Sequence, residues 1–210
     1  MFVAPAYPAG ICGASHRDQN LERHRNANHT LGTDTLPEGL FWNSTDNRLE
    51  LDGYNGGRIE AATSGDEMTF YVLNDSTIHG GEESALNCSY PTIDGDTGKT
   101  LTLTGTKTGV MSISSCTIKN ITVKVDQAGT VAPNGLTTAT NGNISVREDG
   151  RLEVTLNKGA GNPYPARGVG NLWLYDNGSA SITVTANHTS TTDAYGVMSL
   201  SLYGTGDLKL

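Results

Sequence analysis

Basic residues, long apolar runs and cysteines are scarce in this chain, and each shortage excludes a class of protein. Lysine and arginine number 14 against 22 aspartates and glutamates, which gives a formal net charge of −8. Binding to nucleic acid needs clustered basic side chains that neutralise phosphates, so no nucleic-acid partner is expected. The sequence also has no uninterrupted run of about 18 apolar residues, and no membrane span is predicted.

The three cysteines, Cys12, Cys88 and Cys116, stand at unrelated spacings. Their number and spacing match neither a zinc-ligand pattern nor the multiple disulfides of a small secreted domain. One disulfide between Cys88 and Cys116 stays open as an interpretation. The alternative is that both are small core residues with reduced thiols.

Motifs that mark common catalytic sites are also absent. The sequence contains no Gly-x-Ser-x-Gly elbow and no His-Glu-x-x-His pair. A polysaccharide lyase or glycoside hydrolase could still assemble its acids and bases from separate passes of the chain. The candidates for that alternative also suit solvated strand faces or turns: Glu50, Asp52, Arg147, Glu148 and Asp176. We therefore expect that the chain is not an enzyme.

Short alternating apolar pairs, broken by polar corners that contain glycine, recur through most of the chain. Between Gly170 and Thr185, Leu172 and Leu174 form one pair, and Ile182 and Val184 form the next. The same pattern occurs at Leu200, Leu202, Leu208 and Leu210, whose first pair lies 28 residues later, and at Ile144, Val146, Leu152 and Val154, whose first pair lies 28 residues earlier. Repetition in a fixed phase indicates a repeat protein.

The repeats predict an all-β fold. Each unit holds strands too short to enclose a core alone, so neighbouring units must stack. We expect a right-handed parallel β-helix, a solenoid of about six or seven rungs. Leu51, Val146, Leu174 and Leu202 would form one inward column, with neighbours about 4.8 Å apart. An antiparallel β-sandwich is the alternative, because it also uses short alternating strands.

The chain divides into two parts by pattern. Residues 1–40 lack the apolar pairs and are expected to form an irregular leader, whereas residues 41–210 form the repeat domain. Two longer connections, Gly80 to Lys99 and Asn157 to Arg167, are predicted to be loops outside the coil. The pattern runs to Leu210 without a polar cap, so we expect one of two arrangements. Either the domain is truncated there and its end pairs with missing rungs, or the end is covered by a partner, such as another copy, or by the leader.

One acidic turn resembles the start of a calcium-binding loop. Asp94, Asp96 and Gly98 have the right spacing, but Gly105 stands where such a loop has a bidentate glutamate. A plain turn is the better interpretation. Calcium is the one cofactor that stays open, and the metal ligands are unknown.

The outward side chains of the repeats suggest a binding surface. If Leu172 and Leu174 face inward, Trp173 and Tyr175 face outward. The same parity exposes Arg147 one unit earlier and Tyr203 one unit later. These four residues, with Ser145 and Ser201 beside Trp173, would form a ledge on which sugar rings stack. The alternative is that a loop or the leader covers them.

Four segments resemble the repeats of secreted bacterial surface proteins: NRLELDGYNGG, KTLTLTGTKTGVMSIS, GNISVREDGRLEVTL and YGVMSLSLYGTGDLKL. That group includes β-helix proteins that are similar to pectate lyases in shape but bind polysaccharides without catalysis, some with calcium. The resemblance implies a bacterial protein that is secreted or at the cell surface, an adhesin-type module whose partner is a polysaccharide or a cell-surface glycan. A structural stalk within a larger surface protein is the alternative function.

Overall fold

The computed structural model of the protein describes residues 10–12, 28–30, 35–61, 67–106, 110–128, 137–158, 165–186 and 194–209. These residues form an all-β fold, and none of them lies in a helix that could cross a membrane. The strands are β1 (Gly10–Cys12), β2 (Asn28–Thr30), β3 (Leu40–Asn43), β4 (Arg48–Asp52), β5 (Asn55–Gly57), β6 (Ile59–Ala61), β7 (Glu67–Asn74), β8 (Ser76–His79), β9 (Leu86–Asn87), β10 (Tyr90–Gly95), β11 (Thr100–Gly105), β12 (Met111–Lys119), β13 (Thr122–Ala128), β14 (Thr137–Thr138), β15 (Thr140–Arg147), β16 (Arg151–Lys158), β17 (Ala166–Tyr175), β18 (Ser179–Ala186), β19 (Ala194–Tyr203) and β20 (Asp207–Lys209).

Two large sheets share these strands, and the chain passes between them repeatedly. Sheet B has the order β20-β18-β16-β13-β11-β8-β5, with every neighbouring pair parallel. Sheet A contains β2-β1-β6-β9-β12-β10-β7-β4-β3 and continues from β12 through β15 and β17 to β19. Its pairs among β4 and the later strands are also parallel. The parallel pairing excludes the antiparallel sandwich for these strands.

The predicted inward column exists, but one of its members was misplaced. Paired positions across sheet A align Leu49, Phe70, Ile93, Ile118, Val146, Leu174 and Leu202. Leu51 belongs to the next inward column, beside Val72. Alternation fixes which face a residue occupies, yet a shift by two residues keeps the same face, so alternation cannot fix register.

Leu202 is 55% exposed, although its column neighbour Leu174 is 0% exposed. The prediction that Leu202 is buried is therefore wrong. β19 pairs with β17 on one side, and no described strand pairs with its other side. The side chain keeps its inward register but lacks a covering neighbour.

The stretch from Gly80 to Lys99, predicted to be an outside loop, instead contains β9 and β10. β10 lies between β7 and β12 in sheet A, and its Ile93 is 0% exposed. The stretch was missed because Gly95 stands where an apolar pair would have its second member. A Cβ at Gly95 would overlap the Val72 backbone, so only glycine fits there.

The ends of the second predicted loop belong to strands. Asn157 and Lys158 are the last residues of β16, and Ala166 and Arg167 are the first residues of β17. Residues 159–164 lie outside the described residues. The turns from sheet A to sheet B place a residue at positive φ, such as Asn120 at 58° and Asp176 at 50°. Asparagine, aspartate and glycine tolerate this conformation better than other residues.

The antiparallel strands lie at the start of the chain. β3 pairs antiparallel with β4, so the parallel order begins at β4 and not at Trp42, which lies in β3. β1 pairs antiparallel with β2 and with β6, so parts of the predicted leader join sheet A. The division of the chain into leader and repeat domain stays a prediction.

Candidate functional site

Arg147, Tyr175 and Tyr203 stand in one outward column on sheet A, as their parity predicts. The Arg147 guanidinium carbon lies 4.7 Å from the centre of the Tyr175 ring. The Tyr175 and Tyr203 rings stack with centroids 4.6 Å apart and planes 7° apart. Cation–π and stacked aromatic contacts each add attraction beyond the burial of area. The predicted alignment is confirmed, and its binding role stays a prediction.

The stacking changes what this column offers to a ligand. Tyr175 is sandwiched between Arg147 and Tyr203, so its ring presents an edge and a hydroxyl group rather than a free face. Tyr203 is 51% exposed and stacks on a described ring only through its Tyr175 side. A sugar ring would therefore stack on Tyr203 and not on Tyr175.

Trp173 occupies the neighbouring outward position, two residues before Tyr175, and is half-buried. Its partners across the sheet are Ser145 and Ser201. Serine is small, so the indole has no bulky neighbour within its column. We call Arg147, Trp173, Tyr175 and Tyr203 the aromatic face.

Arg147 carries a charge without a carboxylate partner among the described residues. Its Nε atom is buried and has no hydrogen-bond partner there. The preceding residue in the column, Lys119, differs because its Nζ lies 3.6 Å from the Glu148 carboxylate. Because Nε is buried, the terminal nitrogens of the guanidinium are the groups through which Arg147 could donate to a carboxylate from outside the chain.

At the other end of the same column the tyrosine is fully engaged. The Arg48 guanidinium lies 3.8 Å from the centre of the Tyr71 ring. The Tyr71 hydroxyl donates to Asp96 at 3.0 Å, and this hydrogen bond is the main reason that the Tyr71 pKa lies above its usual range. Contacts within the chain thus occupy Tyr71, in contrast to Tyr203.

The acidic candidates for catalysis have structural partners. Glu50 accepts hydrogen bonds from Asn43 at 2.8 Å and from Arg48 at 2.9 Å. The Asn43 bond, with help from Arg48, lowers the pKa of Glu50 below its usual value. Asp52 accepts from Asn74 at 2.6 Å. These contacts favour roles in holding the first passes of the chain together.

Glu148 and Asp176 lie in turns between the sheets, at φ of 52° and 50°. The Glu148 carbonyl accepts from Asn120 N, and Asp176 N donates to the Tyr203 carbonyl. Both residues thereby join one turn to a neighbouring turn or strand. They are not brought together with Glu50 or Asp52 by strand pairing.

The acidic turn near Gly98 uses its carboxylates internally. Asp94 accepts from Gly95 N and from the Asn120 amide, each at 2.8 Å. Asp96 accepts from Tyr71. Within the described residues, no group of three His, Cys, Asp or Glu side chains converges as metal ligands would. Calcium binding at this turn stays a prediction.

Cys88 and Cys116 are both buried and are not joined by a disulfide. Burial, with a smaller contribution from nearby Cys88, raises the pKa of the Cys116 thiol. A raised pKa keeps a thiol protonated and unreactive at neutral pH. This favours the interpretation that the two residues fill the core.

A second concave feature, which the sequence pattern did not reveal, lies on the outer face of sheet B. It has a volume of about 720 Å³ and is lined along its floor by glycines at the ends of β5, β8 and β11. We call it the glycine cleft, and its glycines are Gly56, Gly57, Gly80, Gly81 and Gly105. Polar side chains border it: Asn55, His79, Thr104 and Asp126. In the sequence, the one signal of this cleft is the pair of glycines before β6 and the pair after β8.

No protein-family model, curated protein or solved structure matches the chain. Function must therefore be argued from the aromatic face and the glycine cleft themselves.

Proposed function

We propose that the two parallel sheets belong to a right-handed parallel β-helix of about six or seven rungs. Successive passes align in sheet A and in sheet B, and buried residues from both sheets form one core cluster. The spacing of the later passes also supports this fold, because Asn171 donates to Asn143, 28 residues earlier, at 2.6 Å. A stacked asparagine pair of this kind arises when identical positions of adjacent rungs coincide.

We infer that the chain is a polysaccharide-binding module without catalytic activity, and that the aromatic face holds the polymer. The observation that carries this proposal is the Arg147 guanidinium, which has no carboxylate partner among the described residues and lies beside partly exposed aromatic rings. Trp173 and Tyr203 offer apolar surface to the C–H groups of sugars, and the partly exposed Ser201 beside Trp173 offers a hydroxyl group. Strands lie about 4.8 Å apart, so contacts repeat along the column and suit an extended polymer.

An acidic polymer fits the aromatic face better than a neutral one. A guanidinium binds a carboxylate through two parallel hydrogen bonds, and Arg147 lacks such a partner within the described residues. Uronate units would supply that carboxylate. The overall charge of −8 opposes long-range attraction of polyanions, so binding would rely on these short-range contacts.

The proposed location is secreted or at a bacterial cell surface, as the resemblance to bacterial surface repeat proteins implies. A purely structural stalk is the second candidate, and the Tyr175–Tyr203 stack favours it, because rings that cover each other stabilise the sheet without a ligand. A lyase or hydrolase lacks such support, since strand pairing does not gather the acidic candidates.

A glycan array followed by product assays tests these functions. A polysaccharide-binding module retains one class of glycan, a stalk retains none, and an enzyme releases reducing ends or unsaturated products from the glycan it retains. Retention of uronate polymers without product would support the proposal. Absence of retention on the whole array would remove it and leave the stalk.

A further inference from the structure

The glycine cleft is formed by the path of the backbone, at positions that carry no side chain. A Cβ at Gly80 would overlap Glu83 and Ala85 backbone atoms, so the chain can pass there only as glycine. Gly57 pairs with His79 in sheet B and leaves its position in that column without a side chain. The resulting volume of about 720 Å³ lies within the range of about 300–1,000 Å³ that is typical of small-molecule sites.

His79 is fixed in the cleft by hydrogen bonds at both ring nitrogens. Its Nε2 lies 2.9 Å from the Asn55 amide oxygen, and its Nδ1 lies 2.9 Å from the Thr104 hydroxyl. Because the amide oxygen can only accept, Nε2 donates to it, and Nδ1 of the neutral ring accepts from Thr104. These bonds join β5, β8 and β11 through one side chain, so the cleft wall is organised before any ligand arrives.

Two polar groups at the cleft remain available to a ligand. The Asn55 amide nitrogen has no hydrogen-bond partner among the described residues, whose contacts engage only its oxygen. The Asp126 carboxylate is exposed and forms no ion pair or hydrogen bond within that same part of the chain. One group donates and the other accepts, which matches a hydroxyl group, since a hydroxyl does both.

The charge of the lining restricts the ligand further. Among the described lining residues, Asp126 is the one acidic residue, and none is a lysine, an arginine or an aromatic residue. The Asp126 carboxylate would repel a uronate, and a metal ion would find too few carboxylates among these residues. Recognition by these residues would depend on hydrogen bonds. We propose that the glycine cleft binds a neutral sugar unit, a second saccharide site separate from the aromatic face.

This inference takes its class of ligand from polysaccharide binding but does not require binding at the aromatic face. The two sites lie on different sheets and differ in charge preference. A polymer with both neutral and acidic units could occupy both. Either site could therefore lack sugar binding while the other site still binds its sugar.

Blocking the cleft from its rim provides the main test. Ala128 lines the cleft, is exposed and ends β13, so Ala128→Trp places an indole there without entering the core. Thr183→Trp is the matched control, because Thr183 is also exposed in sheet B and does not line the cleft. Circular dichroism shows that each variant retains its fold. The probes are the neutral tetrasaccharides of β-linked glucose, mannose, galactose and xylose, followed by saturation-transfer NMR and calorimetry.

We expect at least one of these tetrasaccharides to bind the full chain and Thr183→Trp with equal affinity. Ala128→Trp should weaken that binding about tenfold or more, because the loss of one or two hydrogen bonds weakens affinity by about tenfold. Asp126→Ala, an exposed change that leaves the core intact, should weaken it severalfold if Ala128→Trp does not fold. The inference is overturned if no neutral tetrasaccharide binds, or if Ala128→Trp or Asp126→Ala folds and binds as tightly as the full chain.

Discussion

Tyr175 and Tyr203 are 28 residues apart in the chain, yet their rings stack with centroids 4.6 Å apart. The two residues are direct partners across β17 and β19, so the ring spacing matches the distance of about 4.8 Å between neighbouring strands. Parallel register therefore turns a repeated sequence position into a column of touching side chains. Arg147 extends the same column by lying over the other face of Tyr175.

Mutation of both stacked rings should show energetic coupling between them. In a double-mutant cycle of Tyr175→Ala and Tyr203→Ala, we expect a coupling energy of about 0.5–1.5 kcal/mol, as for other aromatic pairs. Tyr175→Ala should cost more than Tyr203→Ala, because it also removes the contact with Arg147. Urea unfolding of the four proteins measures this. A coupling energy near zero would mean that the rings do not stack in solution.

The inward column should tolerate a charge at its open end but not in its interior. Leu174→Asp should prevent folding of the passes around β17, because a buried unpaired carboxylate costs several kcal/mol. Leu202→Asp is the matched control at the same column, where the side chain is 55% exposed, and it should cost about 1 kcal/mol or less. Thermal unfolding compares the two variants. Equal losses would contradict the burial gradient along this column.

The comparison of these two leucines also shows how far sequence alone can reach. Alternation places Leu174 and Leu202 on the inward face correctly, because burial selects one parity along a strand. It misplaced Leu51 by two residues and missed Ile93, since neither register nor a lone apolar residue in a polar stretch leaves a periodic signal. His79 and Asp126 share one column only because each pairs with Thr104 across sheet B, and the spacing of these residues in the sequence does not reveal that.

Glu50 should make stability depend on pH in the acid range. The pKa of Glu50 is lowered in the folded chain, mainly by the hydrogen bond from Asn43. The ionised carboxylate therefore stabilises the fold above the pKa of the unfolded chain, and this stabilisation is lost as the pH falls through the folded pKa. Glu50→Gln should therefore be less stable than the parent chain near neutral pH, and this difference should shrink on acidification. Asn43→Ala should weaken the same pH dependence. Urea unfolding at a series of pH values tests both, and a difference that stays constant with pH would exclude this role.

Tyr54 should ionise at a pH well above the usual range for tyrosine. Its ring is buried, burial raises its pKa to about 12, and its hydroxyl donates to the Gly57 carbonyl at 3.0 Å. Folding therefore favours the neutral phenol of Tyr54. The stability that this preference adds to the fold is lost as the pH rises through the folded pKa. Tyr54→Phe should cost about 1 kcal/mol for the hydrogen bond and remove the ultraviolet transition at the highest pH. Loss of a transition near the ordinary tyrosine pKa would instead show that Tyr54 is accessible.

Binding of a uronate polymer by the aromatic face tests the central claim most directly. Isothermal calorimetry with oligogalacturonate compares the parent chain with Arg147→Gln, and Arg151→Gln serves as control, because it changes net charge equally but lies on sheet B and contacts Glu153 at 2.8 Å. We predict that Arg147→Gln weakens binding by about 1.5–3 kcal/mol, as for other charge-assisted hydrogen bonds, while Arg151→Gln binds as the parent does. Equal affinity of the parent and Arg147→Gln, or no binding by the parent chain, would contradict the account.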